Sequence, residues 1–260
     1  MELEQSVRFQ INEEGMAICY ECQQFKVPTK EIPYGKNKKV IPLGRVCADC
    51  QVIFDAAQKE KEELEAKKAQ ENRFQNIKNH LMRVHVPKRY VDCALENYQG
   101  KIPSIRPTFI CGPPGTGKTH LAVSYLREEI LQSRYFGMSS VGNEEMRFLR
   151  AVDLFKEIRA TFGDKGESTE YRILEDYGGV GFLVLDDLGA EKITDFVRQC
   201  LYDLLDKRYG DLKDTLITSN LSLQQLAEEY GSHGDRLASR IAGMGEVWTL
   251  TGKDKRLAKK

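Results

Sequence analysis

The sequence predicts an α/β chain: a parallel sheet with helices on both faces, preceded by a small cysteine-bearing module and a helical linker. Three observations carry this prediction. Four of the seven cysteines fall in the first 54 residues; no glycine or proline falls between Arg45 and Val86; and after Pro87 short apolar runs alternate with amphipathic segments. The expected divisions are therefore a module at 1–54, a linker at 55–86 and an α/β domain at 87–260. With 260 residues and 41% hydrophobic content, the chain has material for the core of one medium domain plus an appendage. Lys plus Arg equals Asp plus Glu at 39 each, so no overall field advertises nucleic acid, and any such contact must come from a local patch.

The first 54 residues hold too little apolar material to fold unaided. Their cysteines offer another route. "CYEC" and "CADC" set Cys19, Cys22, Cys47 and Cys50 as C-x₂-C, 24 residues, C-x₂-C. Four thiolates are the soft tetrahedral set that Zn²⁺ favours in a closed structural site, where binding energy is folding energy. Redox pairs, or four unrelated thiols, are the competing readings. The loop between the pairs carries Tyr34, Lys36, Lys38, Lys39 and Arg45, which suits nucleic acid, a docking surface or plain solvation equally. No charged head precedes an apolar signal core, and no apolar stretch approaches the roughly 20 residues of a membrane span. A soluble cytoplasmic protein with reduced thiols is expected. Cys93, Cys111 and Cys200 sit singly in apolar surroundings and read as small core residues; the four histidines show no metal or triad spacing.

The stretch "DAAQKEKEELEAKKAQENRF" is dense in strong helix formers and predicts a long exposed helix, either a solvated spacer or a contact for an oligomer or partner. Beyond it, "PTFICG", "GFLVLDD", "DTLITSN" and "EVWTLTG" have the length and apolarity of strands buried on both faces. In "EKITDFVRQCLYDLLDKRYG", Ile193, Phe196, Val197, Cys200, Leu201, Leu204 and Leu205 recur at helical spacing, and Gly210 supplies a stop. Strands alternating with helices give a parallel sheet whose carboxyl edge gathers ligands.

The first of those edges is the most informative. In "CGPPGTGKTH", residues Gly112, Gly117, Lys118 and Thr119 satisfy G-x-x-x-x-G-K-[ST] between a strand and a helix. Gly112, Pro113, Pro114, Gly115, Thr116, Gly117, Lys118, Thr119 and His120 are accordingly the expected ATP-binding residues. Backbone N–H groups would face phosphate oxygens, Lys118 the β and γ phosphates, and the Thr119 hydroxyl Mg²⁺. "FLVLDD" ends in Asp186 and Asp187, a pair expensive to bury without a cation. Asp186 is the expected second Mg²⁺ residue and Asp187 faces a water near the γ phosphate; a helix cap is the alternative. Asn220, at the end of "LITSN", either reaches the γ phosphate or caps the next helix. Arg236 and Arg240 lie four apart, on one helical face, where they are solvated or complete a neighbouring subunit's site.

These stretches, with "VPKRYVDCALENY", "LYDLLDKRY", "GDRLASRI" and "LTGKDKR", resemble the DnaC/DnaI and IstB group of AAA+ P-loop ATPases over roughly residues 86–256. The resemblance implies a nucleotide-dependent homo-oligomer that binds single-stranded DNA and either loads a replicative hexameric helicase or assists an IS21-type transposase. It makes Asp187 the activator of water, Asn220 the first sensor, and Arg240 the arginine finger with Arg236 in reserve. It also implies a domain without a separate lid. A zinc-bearing amino-terminal adaptor is the layout of the DnaI-like loaders, so the cysteine pairs favour that branch. A zinc-dependent DNA-binding regulator, switched by nucleotide, is the reading from another class.

Overall fold

A computed structural model describes residues 10–34, 37–133, 146–160 and 168–257. Lys36, in the lysine-bearing loop, lies outside the described residues. The chain divides into two compact units between Asn72 and Arg73.

The first unit opens with a hairpin of β1 (Ala17–Ile18) and β2 (Phe25–Val27), followed by a second of β3 (Thr29–Tyr34) and β4 (Asn37–Pro42). Lys38 crosses the second hairpin to Glu31 at 2.9 Å, an exposed pair. The unit's buried cluster is small: Ala17, Cys19, Val27 and Cys47, with Cys22, Val46 and Cys50 against it. Sulfur thus supplies most of what the apolar side chains lack. Helix α1 (Ala48–Arg83) begins inside the second cysteine pair and runs across the division between the units. Every residue from 51 to 76 is exposed, and the helix is held locally by side-chain pairs four apart, among them Gln51–Asp55 at 2.7 Å and Gln58–Glu62 at 3.2 Å. Only its end is buried, at Ile77, His80 and Leu81.

The second unit contains β5 (Phe109–Cys111), β6 (Met146–Arg150), β7 (Phe182–Leu188), β8 (Asp214–Ser219) and β9 (Val247–Thr249) in the order β6-β7-β8-β5-β9, all pairings parallel. Four of these are the runs expected from the sequence, but β9, expected to be buried on both faces, is an edge strand with Val247 and Thr249 exposed. The fifth, β6, was not expected: "MRFLR" interleaves arginines with its apolar residues, because an edge strand exposes part of itself. Period-two alternation sends Phe109, Leu149, Leu183, Leu185 and Ile217 into one core and Ile110, Phe148, Phe182, Val184 and Leu216 into another. The first core is closed by α3 (Ala151–Ala160), α4 (Ser168–Gly179), α5 (Asp195–Gly210), α6 (Leu223–Tyr230) and α7 (Gly234–Met244); the second by α2 (Lys118–Gln132) and the end of α1. Both faces of the sheet are covered, as the strand composition requires.

Helix α5 starts at Thr194, whose hydroxyl accepts from Val197 N at 3.3 Å, and it buries Val197, Cys200, Leu201, Leu204 and Leu205. Cys93, Cys111 and Cys200 are all buried, as their surroundings implied. Among the described residues, no helix is long and apolar enough to cross a membrane.

One buried group was not foreseen. Arg208 of α5 is 0% exposed, and its guanidinium donates to Thr215 Oγ1 (2.9 Å), to the carbonyls of Tyr177 (2.9 Å), Gly178 (3.2 Å) and Val180 (2.7 Å), and to Asp214 O (2.5 Å). It staples the start of β8 and the α4–β7 turn to α5; burial pulls its pKa down to about 10. Replacing it with Met would leave these carbonyls unsatisfied. Arg208→Met is expected to lower the unfolding free energy in urea by about 3 kcal/mol or more; a change under about 1 kcal/mol would show that the staple contributes little.

Candidate nucleotide site

Strand β5 ends at Cys111 and the chain turns through Gly112–Gly117 into α2. The turn needs glycine for stated reasons. Gly112 (φ 143°) and Gly115 (φ 74°) adopt left-handed backbone, and a Cβ there would collide with the Leu250 carbonyl and the Asp254 carboxylate respectively. Gly117 (φ 102°) is the N-cap of α2 and carries no side chain to cap it, so the first N–H groups of the helix open towards the turn.

Lys118 is 7% exposed. Its ammonium donates to Gly112 O (2.8 Å), Pro113 O (2.9 Å) and Asn220 Oδ1 (2.7 Å). Asn220 Nδ2 in turn donates to Asp187 Oδ1 at 2.9 Å. On the other side, the hydroxyls of Thr119 (2.9 Å) and Thr218 (2.7 Å) both donate to Asp186 Oδ1, and the Thr218 hydroxyl accepts from Asp187 N at 2.9 Å. Residues from α2, β7, β8 and the turn that follows β8 therefore form one continuous chain of hydrogen bonds. The geometry depends on a register shift in β7 between Leu185 and Leu188, where Asp187 takes φ 59°. Such a bulge re-aims side chains, and aspartate tolerates the left-handed region better than most residues.

Burial pushes the Asp186 carboxyl above its usual range, against the two threonine hydroxyls and Lys118. Burial likewise lowers Lys118, while Asp187 and Asp186 pull it back up. The Asp186 charge is held mainly by the two threonine hydroxyls, and the Lys118 charge mainly by Asp187. A divalent cation at Asp186 and Thr119 fits this arrangement, because it would replace a buried, threonine-held negative charge by a paired one.

The chain of bonds borders a cavity of about 680 Å³, within the usual size of small-molecule sites. Of the residues expected from the sequence, Pro114, Gly115, Gly117, Lys118, Thr119, His120, Asp186, Asp187 and Asn220 line it. Gly112, Pro113 and Thr116 stand behind it: the Thr116 hydroxyl donates to Pro113 O at 2.9 Å, which fixes the turn. His120 meets Asn97 Oδ1 at 2.9 Å and tilts against Tyr98, ring centroids 5.4 Å apart; burial lowers its pKa.

Arg236 and Arg240 do not reach the cavity of their own chain. Arg236 is exposed on α7, and Arg240 Nε pairs with Asp206 at 2.6 Å while its guanidinium lies over the Tyr209 ring. The sequence did not single out Thr218, nor Arg89, Tyr90, Tyr98, Arg150, Lys255 and Arg256, which also line the cavity. Thr218 stands two residues after Leu216, on the strand face that meets α2.

In the first unit, the sulfurs of Cys19, Cys22, Cys47 and Cys50 lie within 4.8 Å of one another. Burial opposes ionisation of Cys19, but main-chain N–H groups of Cys22, Cys47 and Glu21 outweigh it and bring the thiol down to about 6; Cys47 N donates to Cys19 Sγ at 3.2 Å. Cys50 goes the other way, pushed up to about 12, first by its hydrogen bond with Cys47. Four thiols this close are a donor set that fits zinc.

A family model described as "IstB-like ATP binding protein" matches residues 105–260. The replicative helicase loader DnaC of Escherichia coli K12 is 23% identical over 160 residues, covering 62% of this chain and 58% of that protein. The chain thus spans less than two thirds of that relative's length. A putative insertion sequence ATP-binding protein of Sinorhizobium fredii is 28% identical over 153 residues, 56% of this chain and 55% of that protein. The crystal structure of DnaI shares the fold, with a TM-score of 0.50 and 22% identity over 66% of this chain and 95% of that one.

Thr218 is the hinge of the hydrogen-bond chain. Thr218→Val keeps its shape and deletes the hydroxyl, leaving Asp187 N–H unpaired; about 1–3 kcal/mol of urea stability should be lost, with Thr218→Ser recovering most of it. Equal stability of the Val variant and the parent would remove the hydroxyl from the account.

Proposed function

The chain belongs to the IstB-like ATP-binding proteins, of the IstB/DnaC type among AAA+ ATPases, and from that premise we propose that it is a cytoplasmic, ATP-hydrolysing loader of a replicative hexameric helicase onto single-stranded DNA. The observation that carries the nucleotide part is the continuous bond chain Thr119–Asp186–Thr218–Asp187–Asn220–Lys118 along one cavity. In this reading the loop Gly112–Thr119 and His120 hold ATP, and Lys118 takes the charge of the β and γ phosphates. Thr119 and Asp186 hold Mg²⁺, which supplies charge neutralisation at the phosphates. Asp187 orients a water whose oxygen attacks the γ phosphorus as the bond to the β-phosphate oxygen breaks, and Asn220 senses the phosphate while fixing Asp187. Arg240, with Arg236 in reserve, serves the neighbouring copy in a nucleotide-dependent homo-oligomer. The residues fall into the zinc module at 1–54, the helical linker at 55–86 and the ATPase domain at 87–260, without a separate lid. Cys19, Cys22, Cys47 and Cys50 hold a structural Zn²⁺, and the module they organise grips the helicase.

The name carried by the E. coli relative and the four-cysteine module support loading. The S. fredii relative favours a second reading, an IS21-type transposition helper. Capture separates them. Tagged full-length chain with Mg-ATP and single-stranded DNA should retain the host's replicative helicase; retention of an IS21-type transposase on duplex DNA instead would sink the loader reading. Asp187→Asn should keep ATP binding and lose at least about 100-fold in hydrolysis; full hydrolysis by that variant would remove Asp187 from its role.

Zinc content is tested on its own. The chain purified without chelator should carry about one zinc per molecule, and Cys47→Ser should release it and unfold the first unit. A metal-free chain with the same amino-terminal fold would contradict the zinc assignment.

A further inference from the structure

The cavity has two ends of different chemistry. One carries charge, at Lys118, Asp186 and Asp187; the other is lined by Pro87, Tyr90, Asn97 and Tyr98, with His120 of α2 among them. A polyphosphate held along Gly112–Thr119 leaves its nucleoside for the second end. What His120 can do there follows from its tautomer.

Asn97 closes one turn of 3₁₀ helix, Leu95–Asn97, and is pinned at both arms of its amide. Its Nδ2 donates to Asp92 O at 2.8 Å, and its Oδ1 accepts from Ala94 N at 3.0 Å. These main-chain partners fix which arm is oxygen and which is nitrogen. His120 Nε2 faces that same Oδ1 at 2.9 Å and Ala94 O at 3.3 Å. Both are acceptors, so Nε2 carries the proton. Burial, and after it Lys255, disfavours a second proton on the ring, against the pull of the Ala94 carbonyl.

Nδ1 is therefore an acceptor. It has no partner among the described residues, nor does it belong to their buried, unpaired polar atoms, so it opens to solvent on a residue that lines the cavity. The Tyr98 ring, tilted by 59° with its centroid 5.4 Å away, backs the imidazole. Tautomer and ring position are thus both set before any ligand arrives.

Resting on the nucleotide reading of this cavity, we propose that His120 Nδ1 reads the nucleoside half of the bound nucleotide by accepting a hydrogen bond from it, and that Asn97 is the positioning residue that fixes the tautomer. A nucleoside offers such a donor from two places, the exocyclic amine of the base and the ribose hydroxyls. A 6-oxo purine presents a second acceptor in place of the amine and would leave Nδ1 unpaired.

Full-length chain is titrated in Mg²⁺ with labelled ATP, inosine triphosphate, 2′-deoxy-ATP and 3′-deoxy-ATP. The parent should bind ATP about 3- to 10-fold more tightly than at least one of the three analogues, as one neutral hydrogen bond contributes. Preference over the 6-oxo analogue assigns the donor to the base amine, and preference over a deoxy analogue assigns it to the ribose. His120→Phe keeps a ring against Tyr98 and should bring that ratio to within about 2-fold of unity while leaving the other ratios in place. Asn97→Ala should shrink the same ratio by less. A parent that binds all four nucleotides equally, or a His120→Phe chain that keeps the parent's ratio, overturns the proposal. Equal weakening of all four does so too, since a residue that only packs moves every affinity together. A parent that binds none of the four removes the nucleotide reading itself, whereas one that binds ATP without discriminating removes only the role of His120.

Discussion

A carboxylate 5% exposed at the end of a central strand sets the terms for the rest of the second unit. An unpaired buried charge is among the most expensive features a fold can carry, and Asp186 meets the cost with hydroxyls drawn from two other elements, Thr119 at the start of α2 and Thr218 near the end of β8. That solution requires β8 to lie between β7 and β5, the order found in the sheet. It also requires the bulge that lets Asp187 turn its N–H to Thr218 and its side chain to Asn220. Sheet order, strand register and the conformation of one aspartate are thus consequences of one electrostatic problem.

The first unit meets a related problem with different material. Its buried cluster has few carbon side chains, and four sulfurs occupy the space where a core would be. Main-chain N–H groups favour the thiolate at Cys19, while the hydrogen bond with Cys47 and burial hold Cys50 against ionisation. Unlike the single Asp186 carboxylate, the four sulfurs crowd within 4.8 Å of each other. A bound cation removes the repulsion that makes the cluster costly.

What could be read from the chain depended on how far each residue's reason lay from it. The phosphate loop was legible because its glycines answer to local backbone geometry, and β5, β7 and β8 because apolar runs buried on both faces leave little else to be. Asp186 and Asp187 were legible because two acids ending an apolar run contradict their setting. Thr218 was not, since its partner lies 32 residues away and a threonine in a strand is unremarkable by itself. Arg208 hid for the same reason: its carbonyl partner at Tyr177 is 31 residues distant, and a polar residue late in a helix reads as solvated. The segment after β9 showed no role in the sequence, because its contact with Gln99 spans 156 positions.

The arginines of α7 show how far a motif carries an assignment. Spacing placed Arg236 and Arg240 on one face, and the structure adds that only Arg240 is tethered, by Asp206 and the Tyr209 ring. A tether could oppose a role between subunits or prepare it. The side chains of the pair are 36% and 42% exposed, so solvent and salt screen their attraction and a phosphate could compete for the guanidinium at small cost. What the tether does limit is conformational freedom: a guanidinium held against a ring and a carboxylate loses less entropy on meeting a phosphate than one that moves freely. On the proposed reading, Asp206 orients Arg240 for a neighbouring copy.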